Sequence, residues 1–255
     1  MPTRFVDFMR VLVPMAGDDT TPEGEQVNIY GNHVGSWNFA ATAYLNRWKV
    51  KIYYEHYFDD HSQMFFQYGR WKDGHIGLEI TFPKNRFIDT FVYEGLGTKD
   101  QTGPMLYDSF WGKFEEQISA KDNYYNHYLY QGWQHWGMGI GNPLLPGPIY
   151  NKNGQITFIS NRVLAHHIGF CGSPCQSLSY RVLLSYSRHW GTYDNPLNEI
   201  KKQFNSLFEV TYAPQQLKGW SFTVSGAMDR GSILGNNYGG MLVIRKQGII
   251  KSGNK

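Results

Sequence analysis

The sequence predicts an antiparallel all-β fold. Three features carry that prediction: apolar residues recur at every second position, the composition suits strands and turns, and connection lengths alternate along the chain. Five segments repeat one scheme. Lys49–Phe58 sets Val50, Ile52, Tyr54 and Phe58 against Lys49, Lys51, Tyr53 and Glu55. His75–Phe82 sets Ile76, Leu78, Ile80 and Phe82 against His75, Gly77, Glu79 and Thr81. Leu178–Tyr186 sets Tyr180, Val182, Leu184 and Tyr186 against Ser179, Arg181, Leu183 and Ser185. Gln203–Tyr212 and Trp220–Met228 repeat the pattern, with Glu209 on the polar side of the former. Weaker strand candidates are Phe5–Val13, Ser36–Leu45, Phe87–Gly95, Ile156–Phe170 and Gly240–Ile244.

Composition agrees. Aromatics reach 16% and charged residues only 18% of the 255, below the usual quarter of a soluble domain. No apolar run approaches the roughly 20 residues of a membrane-spanning helix. A barrel strand, however, is apolar only at alternate positions, so a mean hydropathy of −0.47 does not exclude a membrane protein. A net charge of +3 with no Lys/Arg-rich stretch gives no argument for nucleic acid. The start, Met1-Pro2-Thr3-Arg4-Phe5, has no apolar core or cleavage site of a signal peptide.

Many candidate strands approach the roughly 9–11 residues that cross a bilayer at a tilt. Short turns are expected at Asn46-Arg47, Pro83–Asn85, Ser173–Gln176 and Pro214–Lys218. Long connections are expected at Asp59–Gly74, Leu96–Gln155, Gly191–Lys202 and Arg230–Gly239. If strands run up and down, the short turns share one end and the long loops the other, as in outer-membrane barrels. Trp48, Phe82, Tyr212 and Trp220 flank short turns, and Tyr57, Phe58 and Trp190 lie near long loops, as aromatic girdles would. The expected fold is thus an antiparallel up-and-down transmembrane β-barrel, or a large C-terminal part of one, with long loops on one side. It forms a single domain over residues 1–255 with an elaborated loop region at about 96–155. That region would hold a helical turn at Phe114–Ala120, strand near Asp122–Tyr130 and a turn at Gly137–Pro143; a short helix is expected near Pro196.

Sugar recognition needs flat aromatic faces with amides and carboxylates beside them. Trp71, Trp111, Tyr124, Tyr125, Trp133 and Trp136 fall in or near the two longest connections, interleaved with Asn123, Asn126, Gln131 and Gln134. They read as a glycan-contacting cluster; the competing reading is a plug that packs the loop into the barrel. Glu55, Glu79, Glu94 and Glu209 are carboxylates of the kind a glycosidase pairs. In a barrel, Glu55, Glu79 and Glu209 would face the lumen beside Lys49, Lys51 and Arg181. His166 and His167 point to opposite strand faces and cannot share a metal. Structural roles are expected for them and for His127 and His135, with no metal or cofactor. Cys171 and Cys175 are a candidate disulfide across a turn, or two free thiols.

Several strings resemble one family. Tyr124-Tyr-Asn-His127, Gly132-Trp-Gln-His-Trp-Gly-Met-Gly-Ile-Gly-Asn-Pro143, Arg181 through Pro196 with its Ser185-Tyr-Ser-Arg-His-Trp190 core, and Leu217-Lys-Gly-Trp-Ser-Phe222 are similar to the capsule assembly Wzi family, over nearly all of this chain and in the later part of the family sequence. The resemblance implies an outer-membrane barrel of Gram-negative bacteria. Such a protein binds surface polysaccharide like a lectin, without catalysis, and helps attach capsule to the cell. It also implies more strands than this chain supplies, so the barrel is expected to be incomplete at the N-terminus. The alternatives are a soluble all-β carbohydrate-active enzyme and a simple diffusion pore.

Overall fold

The computed structural model describes residues 4–13, 15, 17–21, 26, 35–58, 73–104, 119–121, 123–126 and 133–248. After the helix α1 (Phe5–Leu12) come β1 (Gly35–Leu45), β2 (Trp48–Phe58), β3 (Gly74–Thr81) and β4 (Thr90–Gly97). Four short strands follow: β5 (Thr102–Pro104), β6 (Ser119–Lys121), β7 (Gln134–His135) and β8 (Met138–Gly139). The chain then forms β9 (Val163–Cys175), β10 (Leu178–Gly191), β11 (Pro196–Tyr212), β12 (Trp220–Gly231) and β13 (Asn237–Lys246). The long strands form one nine-stranded sheet in the order β1-β2-β3-β4-β9-β10-β11-β12-β13. Every neighbouring pair is antiparallel. β1 and β13 end the order, and no ladder among the described residues joins them, so the all-β expectation holds at the level of an open sheet.

Residue 98–162 is an insertion between two paired strands, since Thr90–Gly97 lies in register with Cys171–Leu164. The register also sorts the faces. One face carries Lys49, Lys51, Tyr53 and Glu55, followed across the sheet by His75, Glu79, Glu94, His167, Arg181, Ser185, Asn205 and Glu209. The other carries Trp37, Phe39, Ile52, Ile76, Ile168, Tyr186, Phe208, Val224, Leu242 and Ile244, every one of them exposed. Ser187, His189, Gln203 and Ser225 of the first face are buried, whereas its Lys49, Glu79 and Arg181 are half-buried or exposed. This is the reverse of a water-soluble sheet, which hides its apolar side. Trp48 packs on Phe82 at 5.0 Å between ring centroids, and Trp220 stacks with Phe222 at 6.3 Å, at the turn end of the sheet.

Five sequence expectations need correction. Phe5–Val13 is mostly helix: Arg4 and Asp7 cap its start, and Arg10 and Arg4 both pair with Asp18, so local ion pairs decide an apolar run whose period is ambiguous. Pro196 opens β11 rather than a helix; Gly191 at φ +84° and the bond from the Asn195 N–H to Thr192 Oγ1 make a tight turn, after which proline serves as first strand residue. Ile156–Arg162 is loop, and β9 starts at Val163. The loops are less sorted than expected. Connections 192–195 and 232–236 are shorter than the turn-end connections 82–89 and 213–219, so the asymmetry rests on residues 59–73 and 98–162 alone. Finally, of the two cysteine alternatives the disulfide falls: Cys171 and Cys175 are free thiols, as the other alternative had it, and lie along the same strand, not across a turn. Four residues of extended chain set their Cα atoms about 13 Å apart, beyond disulfide reach.

Candidate functional site

The core lies where the 98–162 insertion folds back on the polar face. Leu96, Tyr125, Leu145, Phe158, Val163 and Ala165 are buried together, with Tyr57, Trp133 and Leu144 packed against them. Amides and hydroxyls tie this insertion down. Asn126 Nδ2 donates to the Phe158 carbonyl, and the Phe158 N–H returns a bond to Asn126 Oδ1, both at 2.8 Å. Asn161 Nδ2 donates to Asn123 Oδ1 at 2.6 Å and to the Tyr124 carbonyl at 2.7 Å. Thr98 Oγ1 donates to the Asn161 carbonyl and accepts from the Val163 N–H.

Asp73 anchors the same insertion from the base of β3. Its carboxylate accepts from the Asp100 N–H at 2.9 Å, the Gln101 N–H at 2.6 Å and the Tyr124 hydroxyl at 2.7 Å. Burial raises its pKa above the ordinary carboxylate value, and the three donors only partly oppose that.

Between the insertion and the sheet lies a cavity of about 740 Å³. Its floor is the polar face: Ser36, Glu55, Tyr57, His75, Glu94, His167, Ser185 and Asn205. Tyr124, Tyr125 and the segment Gly141–Leu145 form its roof. Ser36 near one end of the strand order and Leu234 near the other both line it, so the sheet coils around it. The floor is a hydrogen-bonded row. Tyr53, Gly77, Glu94, His167, Ser185, Asn205, Asp229 and Asn237 stand in successive register from β2 to β13. A Cβ on Gly77 would run into the Tyr53 ring; its absence lets Tyr53 reach across β3 and donate its hydroxyl to Glu94. His75 Nε2 lies 3.5 Å from Glu94 and its Nδ1 3.6 Å from Glu55. Ser36 donates to Glu55 Oε1 at 2.7 Å, and His167 Nδ1 meets Ser185 Oγ at 2.7 Å.

The residues singled out from the sequence fall into several groups. Tyr124 and Tyr125 line the cavity, the latter at φ +68°, a strained conformation for a side chain-bearing residue. Asn126 and Gln134 serve the backbone, Gln134 Oε1 accepting from the Gly137 N–H at 2.7 Å, and Trp133 packs on the core. Trp136 is 85% exposed at φ +51°. Trp71, Trp111, His127 and Gln131 lie outside the described residues. Lys49, Lys51, Glu55, Glu79, Arg181 and Glu209 do share the polar face; Lys49 pairs with Glu79 at 3.6 Å and Arg181 with Glu209 at 3.3 Å. Tyr57, expected in a girdle, instead lines the cavity with Glu55. His166 bonds Tyr93 on the apolar side while His167 bonds Ser185 on the polar side, as the alternation required. The His75–Glu55–Glu94 group was not visible as a group: each member has the right parity, but their meeting depends on register between three strands. Among the described residues no cluster of His, Cys, Asp and Glu could hold a metal ion. No family model, no curated protein and no solved structure matches the chain.

Proposed function

We propose that this chain is the later part of an outer-membrane β-barrel of a Gram-negative cell that binds surface polysaccharide, lectin-like and without catalysis, and helps hold capsule at the cell surface, as in the Wzi family it resembles. One observation carries the reading: the exposed face of the sheet is the apolar one, and the covered face is polar. Exposed contiguous apolar surface on this scale marks an interface or a membrane. Lipid accounts for it over the full span of the sheet, with the polar face as lumen. The roof of tyrosines over a floor of carboxylates, imidazoles and hydroxyls supports sugar as the ligand, because ring faces stack on C–H surfaces while acceptors take hydroxyl protons. A hydrolytic role is less well supported. The inverting and retaining schemes need one carboxylic acid to give a proton and one carboxylate to act opposite it, whereas Glu55 and Glu94 both face the same imidazole ring.

The test is fractionation of the native gene product, with gel mobility compared before and after boiling, alongside a strain lacking the gene. The expected result is protein confined to the outer membrane, a heat-dependent mobility shift, and polysaccharide shed into the medium by the deleted strain. Soluble protein with no shift, or a deletion that leaves capsule fully cell-bound, overturns the reading.

A further inference from the structure

We propose that the cavity receives a sugar unit that presents hydroxyl or ammonium donors and carries no carboxylate; the inference rests on the polysaccharide-binding reading above. The argument is the charge and hydrogen-bonding capacity of the walls. Glu55 and Glu94 line the cavity, and neither Lys nor Arg is among its described lining residues. Of the lysines on the same face, Lys49 pairs with Glu79 and Lys51 lies over the Tyr53 ring at 5.2 Å, while Lys201, register partner of His189, is not among the cavity's lining residues. His75 has a carboxylate oxygen beside each ring nitrogen, and even with its ring fully protonated the trio with Glu55 and Glu94 keeps a net negative charge. Among the described lining residues a uronate brought here would meet two carboxylates and neither Lys nor Arg, and like charges placed together in an interface are strongly disfavoured.

What the cavity offers instead is acceptors. Glu55 is occupied on both oxygens, by Ser36 and His75. Among the described residues Glu94 takes Tyr53 and His75 on Oε1, leaving Oε2 open to a donor, and His167 uses Nδ1 on Ser185, leaving Nε2 open as acceptor or donor according to its tautomer. The two residues are register partners on adjacent strands, so the open atoms form one recognition point. Tyr57, Tyr124 and Tyr125 supply ring surface around it. The volume lies within the roughly 300–1,000 Å³ of pockets that enclose small ligands.

A second cavity of about 140 Å³ shares the wall Asn142–Leu145, Asn205 and Leu234. It contains an independent sign of a ligand. His189 is 2% exposed, its Nε2 meets Ser187 Oγ at 2.9 Å, and its Nδ1 has no partner among the described residues. A buried ring nitrogen left unpaired is costly unless something else meets it, and a substituent reaching from the larger cavity would do so.

The test uses the full-length protein in detergent micelles and three probes: the trimers of N-acetylglucosamine, glucosamine and galacturonic acid. The wild type is expected to bind the first two at least about tenfold more tightly than the third. Glu94→Gln and His167→Gln should each weaken the two non-acidic trimers by about tenfold while the heat-dependent gel shift is kept, and Glu94→Gln should narrow the gap to the galacturonate trimer. Galacturonate binding as tight as the others, equal binding by both variants, or binding of none of the trimers overturns the inference. A protein that binds no trimer yet stays in the outer membrane and retains capsule loses this inference and keeps the general reading. A soluble protein loses both.

Discussion

At the scale of single residues, Asp73 shows how much of the site depends on contacts far apart in sequence. Its carboxylate serves three donors from the 98–162 insertion, including the Tyr124 hydroxyl. Asp73→Ala leaves two backbone N–H groups and a hydroxyl without their acceptor, at about 1–3 kcal/mol for each group that stays buried. It should lower the guanidinium unfolding midpoint in micelles and loosen the cavity roof. The pH dependence has a definite sign. The folded pKa is raised above 3.8, so the folded state holds the proton more tightly than the unfolded chain. The stabilisation from that proton is complete below the unfolded value and is lost as pH rises through the folded one. Asp73→Asn cannot titrate. The stability of the wild type relative to Asp73→Asn should therefore fall as pH rises above about 4, and a difference that is flat or rises with pH would contradict the burial argument. None of this was legible in the sequence, where Asp73 sits in a Gly-flanked turn with nothing to link it to Tyr124. The parity of Glu55 and His75 was legible, because alternation assigns a face to each residue without saying which residues meet, while Glu94 falls in a weaker strand candidate whose pattern assigns it no face.

At the scale of elements, β2, β3, β10, β11 and β12 follow from alternation alone, because a strand with one apolar side repeats every second residue whatever its neighbours are. The failures occur where the period was weak. The helix α1 sets Asp7 and Arg10 on one side of a run of eight residues, too short for its period to stand out from a strand's, and Pro196 resembles a helix start until the turn before it is known. The same alternation yields a test of which side meets lipid. Ile52 lies mid-strand in β2 and is 55% exposed on the apolar face, while its neighbour Lys51 belongs to the polar face. If that face meets hydrocarbon, Ile52→Lys should destabilise the vesicle-embedded protein by about 2–4 kcal/mol. On a water-facing surface the same change should fall within about 0.5 kcal/mol. Folding titrations in lipid vesicles separate the two, with Lys51→Gln as the polar-face control that should stay near wild type.

At the scale of the whole molecule, the sheet is a continuous meander whose coil brings β1 and the β12–β13 connection to one cavity. The register explains why this shape was only half legible: alternation gives most of the strands and their faces, but coiling comes from their stagger and twist, which no local pattern records. Among the described residues β1 and β13 each have a strand partner on one side only. In hydrocarbon an unpaired backbone N–H or C=O costs several kcal/mol, and an edge of that length in lipid is not tolerated. The membrane reading therefore requires both edges to be paired when the protein is embedded. Hydrogen exchange on protein in native outer-membrane vesicles should show the amides of 36–44 and 238–245 as strongly protected as those of 180–188 in β10. In the soluble alternative, alternate amides of each edge point to water and exchange quickly while β10 stays protected. That pattern in vesicles would mean that the sheet stands open to water and that its apolar face requires an occupant other than lipid.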